Sequence, residues 1–329
     1  MQEFKAFRIH EAERKVSARF DTISLADLAP GEVVIKVRYS SINYKDALAA
    51  TGTGRILRRY PLVGGIDLAG LVVTSSDARF KPGDEVLVTG CGLSETHDGG
   101  YAEYARVRAE WVIGLPRGLS LADSMRIGTA GFTAALAIDR MERNGQVPGK
   151  GAIVVTGATG GVGSLALDML AGRGYTAVAV SGKASAVEYL TSIGAARVLN
   201  RADINLGTRP LETPEWAGAI DNVGGEILTW LTRTVDFWGN IASIGLAASP
   251  DLKTTVLPFI LRGVSLLGIN SVANTRAERL HVWERIATDL KPRHLATSAA
   301  RTIPFDALPA AFPDYIAGKV LGRTLVEIG

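Results

Sequence analysis

Residues 152–172 constrain the fold of this chain more than any other stretch. Ala152-Ile153-Val154-Val155-Thr156 is a short, mostly β-branched run. Gly157-Ala158-Thr159-Gly160-Gly161-Val162-Gly163 follows it, and an apolar helical pattern continues to about Gly172. Strand, glycine loop and helix in that order open a βαβ unit that binds a dinucleotide. The glycines let the backbone turn sharply and approach a pyrophosphate, which then sits on the positive end of the helix. The alternation continues downstream. Strands are expected at Thr176–Val180, Arg197–Leu199, Gly218–Asn222, Asn240–Ile244 and Ser265–Ile269, with helices at Ala184–Ile193 and about Glu226–Asp236. Alternation at this spacing makes an α/β fold with a doubly wound parallel sheet.

The second strand runs into Ser181-Gly182-Lys183, where a site for NAD offers an acid to the ribose 2′-hydroxyl. No acid stands there. A serine hydroxyl and an ammonium suit a 2′-phosphate instead. Arg201, just past the third strand, can close over the same phosphate and stack on adenine. Two basic residues at neighbouring strand ends favour NADPH.

The first 120 residues have a different texture. Short runs at Val33–Asn43, Asp67–Ser75, Glu85–Thr89 and Tyr101–Val107 are separated by Gly64-Gly65, Pro82-Gly83-Asp84 and Gly99-Gly100. This spacing predicts a mostly antiparallel, barrel-like β domain. After residue 271 come amphipathic helices at Ala277–Leu290 and around Asp306–Gly318, then a strand at Arg323–Ile328 that reads like the front half. The expected division of the 329 residues is a β domain over 1–124, a dinucleotide-binding domain over 125–271, and a return to the first domain over 272–329.

Composition excludes several classes. A single cysteine, Cys91, allows neither an internal disulfide nor a thiolate zinc site. The first residues lack the apolar core of a signal peptide, and no apolar run reaches the about 20 residues of a membrane helix, so a cytoplasmic protein without membrane partners is expected. Thirty-six Lys and Arg against 33 Asp and Glu leave no basic stripe, and nucleic acid is not an expected partner. The one local cationic cluster is Arg55, Arg58 and Arg59. Read alone, it is a solvated surface or an anion site for a small ligand's phosphates.

Asn43-Tyr44-Lys45-Asp46, Gly83-Asp84-Glu85-Val86, Gly99-Gly100-Tyr101-Ala102-Glu103-Tyr104, Gly128-Thr129-Ala130-Gly131-Phe132-Thr133-Ala134 and the loop at 157–163 together resemble the medium-chain dehydrogenase/reductase superfamily over the whole chain. The resemblance implies a GroES-like, β-rich catalytic domain built from both termini around a central Rossmann domain. Zinc-dependent members carry Cys where Tyr44 stands and Gly-His-Glu where this chain has Gly65-Ile66-Asp67. The catalytic zinc is therefore expected to be missing. Zinc-free members reduce activated carbon–carbon double bonds or quinones.

Ser40–Leu48, Ser181-Gly182-Lys183, Trp216–Asp221 and Pro258–Val264 are similar to the acryloyl-CoA reductase and quinone oxidoreductase subgroup. That resemblance implies Tyr44 beside the nicotinamide, with Thr129 also at the cofactor. Thr159, Gly160, Gly161 and Val162 hold the pyrophosphate, and Ser181, Gly182, Lys183 and Arg201 hold the adenosine phosphate. Leu246 and Asn270 line the nicotinamide half, and Arg323 reaches the pyrophosphate from the last strand. The resemblance also implies a homodimer pairing through Leu266–Ser271.

Reduction of an α,β-unsaturated thioester needs donors aimed at the thioester oxygen and a proton for Cα. Tyr44 is the best side-chain donor, a phenol being an acid rather than a base near neutrality; the alternative is a ring that only packs on the cofactor. Asp46 and Asp67 orient water or serve structure, and Cys91, in Thr89-Gly90-Cys91-Gly92 with no adjacent histidine, reads as inert. Arg55, Arg58 and Arg59 are candidates for the CoA phosphates. Three functions stay open: an acryloyl-CoA reductase, an NADPH:quinone or enone reductase, and a non-catalytic NADPH-binding protein.

Overall fold

The computed structural model describes residues 3–329. In chain order the strands are β1 (Glu3–Ala12), β2 (Lys15–Ser24), β3 (Val33–Ile42), β4 (Leu62–Val63), β5 (Asp67–Ser75), β6 (Glu85–Thr89), β7 (Tyr104–Val107) and β8 (Ile113–Gly114). They continue with β9 (Ala152–Thr156), β10 (Thr176–Ser181), β11 (Arg197–Asn200), β12 (Trp216–Asp221), β13 (Val235–Ser243), β14 (Ser265–Gly268), β15 (Arg301–Pro304) and β16 (Thr324–Glu327). Two compact units divide the chain. The first holds Met1–Thr129, Val272–Trp283 and Ala299–Gly329; the second holds Ala130–Ser271 and Glu284–Ser298.

In the first unit β3 alternates as a half-buried strand must. Val33, Ile35 and Val37 are buried while Lys36 and Arg38 face outward. It pairs antiparallel with β5, β7 and β16, and β16 also pairs parallel with β15. A second sheet has the order β2-β1-β4. Between the sheets lies an aromatic core in which Phe7 meets Phe20 at 5.2 Å and Phe312 at 5.8 Å between ring centroids. Each such side chain contributes about 1.5–3 kcal/mol by leaving water.

The second unit is a parallel sheet with the order β11-β10-β9-β12-β13-β14. Ile153, Val154 and Val155 are fully buried, as expected of a strand covered on both faces. The chain leaves β9 toward β10 and β11, then returns to β12 on the other side. That reversal makes the carboxyl ends of the strands the place where a ligand binds.

The structure corrects several sequence expectations. β13 begins at Val235 rather than Asn240, because Val235 already pairs with Trp216; an irregularity that includes Trp238 at a φ of 60° separates this pair from Gly218–Asn240. The helix Leu121–Arg143 was not foreseen; Gly128 breaks its interior, at φ 53° and ψ −160°. The expected return over 272–329 is incomplete, since Glu284–Ser298 belongs to the second unit. Arg285 is held there by Asp139 and Glu142 at 2.9 and 2.6 Å, and Asp168 accepts the backbone N–H groups of Arg293 and His294. Residues 125–129 go to the first unit, tied to it by Asp67. No helix among the described residues is long and apolar enough to cross a membrane.

Candidate functional site

The carboxyl ends of the second unit's strands form one rim. The glycine loop leaves β9, and the helix Gly161–Gly172 follows with Gly160 as its N-cap. Gly163 packs against the start of the loop: a Cβ there would lie 2.5 Å from the Gly157 carbonyl oxygen. Only glycine lets the helix begin this close to the strand. The first N–H groups of that helix have no intrahelical acceptors, which is the usual cradle for a phosphate.

At the end of β10, Ser181 is buried and its Oγ accepts the Lys183 backbone N–H at 3.0 Å. β10 and β11 run in register with Ser181 opposite Asn200, so Arg201 comes to the same corner. A Cβ on Gly182 would lie 3.5 Å from the Arg201 guanidinium. Burial lowers the pKa of the Lys183 ammonium, so an anionic partner there would be favourable. Ser181, Gly182, Lys183 and Arg201 are therefore brought together. Leu246 and Asn270 lie exposed just beyond the ends of β13 and β14, on the same rim.

Sequence reasoning missed Asn222, which follows β12. Its backbone N–H donates to Thr156 Oγ1 at 3.0 Å and its Nδ2 to the Thr156 carbonyl at 2.8 Å. Its Oδ1 is a buried acceptor with no partner among the described residues. Behind it Asp221 accepts from Thr156 Oγ1 at 2.6 Å and from the Gly224 N–H at 2.9 Å, and burial raises its pKa.

The first unit holds a buried polar cluster at the turn that presents Tyr44. Asn43 caps the helix Tyr44–Thr51, and Asp46 returns the bond to the Asn43 N–H at 2.8 Å, a reciprocal capping box. Asp46 also accepts the Ile66 N–H at 2.9 Å. Burial, with Asp67 close by, pushes the Asp46 carboxyl up to about 7 despite these donors. Asn43 Nδ2 bridges the two carboxylates, 3.2 Å from Asp46 and 2.8 Å from Asp67. Asp67 further accepts from Ser41 Oγ at 2.7 Å and from the Thr129 N–H and hydroxyl. Tyr44 itself stands on the surface, 51% exposed, and its hydroxyl has no partner among the described residues.

Arg323, the residue expected at the pyrophosphate from the last strand, is engaged within its own unit. It is buried, and its guanidinium donates to Ser41 Oγ, the Ile42 carbonyl, Asn43 Oδ1 and the Arg126 carbonyl at 2.8–3.1 Å. All of these partners belong to the first unit. Thr129 is likewise engaged by Asp67. Gly128 makes that turn possible, because a Cβ there would lie 2.3 Å from the Arg323 guanidinium.

Arg55, Arg58 and Arg59 are exposed. Arg59 Nε donates to the Thr96 carbonyl at 3.1 Å, and the Arg58 backbone N–H to the Glu95 carbonyl at 2.8 Å. Glu95 pairs with Lys45, so the arginine loop lies beside the helix that begins at Tyr44. Burial raises the pKa of the Cys91 thiol, which keeps it in the unreactive form.

The glycine loop, the free helix N-terminus and the Ser181–Arg201 corner fit a dinucleotide that carries a 2′-phosphate. Residues 29–117 match the family model for the alcohol dehydrogenase GroES-like domain, and residues 161–288 match that for zinc-binding dehydrogenase. The chain is 46% identical to the "Putative quinone oxidoreductase YhfP" of Bacillus subtilis, with 99% of each chain covered. A crystal structure of that species' yhfP protein with NAD bound superposes with a TM-score of 0.97 at 45% identity, covering all of both chains. The chain is also 46% identical to acrylyl-CoA reductase AcuI of Ruegeria pomeroyi, over 97% of this chain and 96% of the relative. The yhdH oxidoreductase of Salmonella enterica, solved with NADP, matches at TM-score 0.96 and 45% identity, over 99% of this chain and 100% of that one.

The zinc in the second family's description does not fit the donors here. Asp67 is saturated by hydrogen bonds beside a guanidinium that repels a cation, and Tyr44 and Ile66 stand where a metal needs stronger ligands. Among the described residues no group of three or more His, Cys, Asp or Glu is arranged to hold a metal. With both domain types matched and near-complete coverage by relatives at 46% identity, the chain belongs to the medium-chain dehydrogenase/reductase family.

Proposed function

We propose that this protein is an NADPH-dependent reductase that converts a short α,β-unsaturated acyl-CoA, acryloyl-CoA, to the saturated thioester, propionyl-CoA. The observation that carries the reading is the corner where Ser181, Gly182, Lys183 and Arg201 meet beside the glycine loop. Relatives of the same fold have been solved with NAD and with NADP, so cofactor choice here rests on that corner. The substrate rests on the identity to acrylyl-CoA reductase AcuI. Identity of the same size to a protein named for quinone reduction keeps an NADPH:quinone or enone reductase as the second reading.

Thr159, Gly160, Gly161 and Val162 would hold the pyrophosphate, Ser181, Lys183 and Arg201 the 2′-phosphate, and Leu246 and Asn270 the nicotinamide half. When bound, the cofactor supplies a hydride for the substrate Cβ. Negative charge then develops on the thioester oxygen, and the Tyr44 hydroxyl donates the proton that ends on Cα. Solvent reprotonates the half-exposed phenol. The capping box of Asn43 and Asp46 fixes the turn from which Tyr44 projects. Arg55, Arg58 and Arg59 offer guanidinium forks to the CoA phosphates, although Arg59 spends one donor on Thr96.

A homodimer belongs to the same reading. β14 is the edge of the parallel sheet, and an apolar edge invites pairing with its mate. Leu266, Ile260 and Leu261 are exposed there, and Phe237 and Trp238 are exposed on β13; Trp238 packs on Gly263, which precedes β14. A cytoplasmic setting accords with a carrier-bound substrate. The test is NADPH consumption with acryloyl-CoA, crotonyl-CoA and simple quinones. A far higher kcat/KM with the thioesters supports the reading, and turnover of quinones alone replaces it with the second.

A further inference from the structure

Ala158, the second residue of the glycine loop, turns both of its backbone groups inward. Its N–H donates to the Val180 carbonyl at 3.2 Å, one residue before Ser181. Its carbonyl accepts the Ser164 hydroxyl at 3.1 Å, and Ser164 Oγ in turn accepts the Tyr189 hydroxyl at 2.9 Å. Ala158 and Ser164 are fully buried. We propose that Tyr189, acting through Ser164, is a positioning residue for the cofactor: it fixes the peptide between Ala158 and Thr159 so that the Thr159 N–H meets the pyrophosphate. The proposal rests on the reading of residues 159–162 as the pyrophosphate cradle and of the Ser181–Arg201 corner as the seat of the 2′-phosphate.

The peptide unit supplies the argument. A trans peptide is planar, with its C=O and N–H pointing in opposite directions. Holding the Ala158 carbonyl on Ser164 therefore turns the Thr159 N–H away from that hydroxyl. The Thr159 N–H has no acceptor among the described residues, and a pyrophosphate oxygen supplies one. Gly157, at a φ of 58°, precedes this peptide and Gly160 follows it, so the chain itself offers little resistance to its rotation. Something beyond backbone stiffness has to hold it.

Ser164 alone is a weak holder. A serine in a helix has a competing acceptor in the carbonyl four residues back, here that of Gly160. The phenol proton occupies one lone pair of Ser164 Oγ and polarises the Ser164 O–H toward Ala158, so the two bonds strengthen each other. Burial raises the pKa of Tyr189, which keeps the phenol a donor. The helix Val187–Ser192 that carries Tyr189 is anchored by the fully buried Leu190, and it follows the short turn Ala184–Ala186 that begins directly after Lys183. A change at Tyr189 could therefore disturb the adenosine corner as well as the loop. Adenosine 2′-monophosphate, which reaches the corner but carries no pyrophosphate, separates the two effects.

The test is calorimetric titration of the full-length protein and its variants with NADP+, adenosine 2′-monophosphate and adenosine 5′-monophosphate. Tyr189→Phe keeps the ring and should raise the Kd for NADP+ about three- to tenfold, with the Kd for adenosine 2′-monophosphate nearly unchanged. Ser164→Ala should reproduce this split. The double variant should bind NADP+ no more weakly than the weaker single variant, because the two hydroxyls act in series. An unchanged Kd for NADP+ in Tyr189→Phe, an equal loss for NADP+ and adenosine 2′-monophosphate, or additive losses in the double variant overturns the proposal. Equal affinity of wild type for the 2′- and 5′-monophosphates would overturn the reading of the corner instead, and a loss confined to NADP+ would still uphold the role of Tyr189.

Discussion

The guanidinium of Arg323 and the carboxylate of Asp67 lie 3.6 Å apart, with side-chain exposures of 2% and 0%. Neither charge can be hydrated, so each depends on the other and on the shared hydrogen bonds of Ser41 and Asn43. Removing one partner from such a pair strands the other. Asp67→Ala should lower the unfolding free energy by about 3–5 kcal/mol. Urea denaturation followed by tryptophan fluorescence measures this, and a loss below about 1 kcal/mol would show that the pair is not structural.

Asp46 makes stability depend on pH in an unusual direction. Its carboxyl is raised to about 7 in the folded protein from an ordinary value of 3.8. The folded state therefore holds this proton more tightly than the unfolded state. The contribution is fully present below about pH 4 and is lost as pH rises through about 7. Denaturation midpoints of wild type and Asp46→Asn, compared from pH 4 to 8, should show wild type losing ground to the variant. Parallel curves would refute it.

Lys183→Ala should raise the Michaelis constant for NADPH about tenfold and leave that for NADH nearly unchanged. The wild-type enzyme should prefer NADPH. Equal constants for the two cofactors in wild type would contradict the role given to the Ser181–Arg201 corner.

Tyr44→Phe keeps the ring and removes only the hydroxyl. If the phenol supplies the proton, kcat falls about a hundredfold or more while KM for acryloyl-CoA barely moves. A KM change with kcat intact would make Tyr44 a packing surface.

The β14 edge and its apolar neighbours give a last expectation. Wild type should scatter light as a dimer, and Ile260→Glu with Leu261→Glu should yield monomers that retain their circular dichroism. A monomeric wild type at assay concentration would end the dimer reading.

The parts of the fold that were legible are those whose physics is local. β3, β5, β6 and β9 announce themselves by β-branched residues between glycine or proline turns, and the βαβ alternation follows from spacing alone. β15 was missed because four residues ending in Pro304 carry no period, and their partner β16 comes twenty residues later. The glycine loop and the Ser181–Arg201 corner were readable because residues near one another in sequence build them. The burial of Arg323 beside Asp67 was not readable, since nothing local shows that these two distant residues will meet. One signal was available: the Asn43-x-x-Asp46 spacing is that of a capping box, which ties Asp46 to structure before any coordinates are seen.

The place of β16 in its sheet sets an order of events during synthesis. It lies between β15 and β3, and 281 residues separate Arg323 from Ile42 on the strand it joins. The second unit is complete once residue 298 has emerged, so the dinucleotide rim can form while the first unit is still open along β3. Until Thr324–Glu327 arrives, β3 offers an unpaired edge and Asp67 lacks its counter-charge. A released chain that ends just before residue 323 would therefore have a complete nucleotide-binding half and another half open along β3 and prone to aggregate.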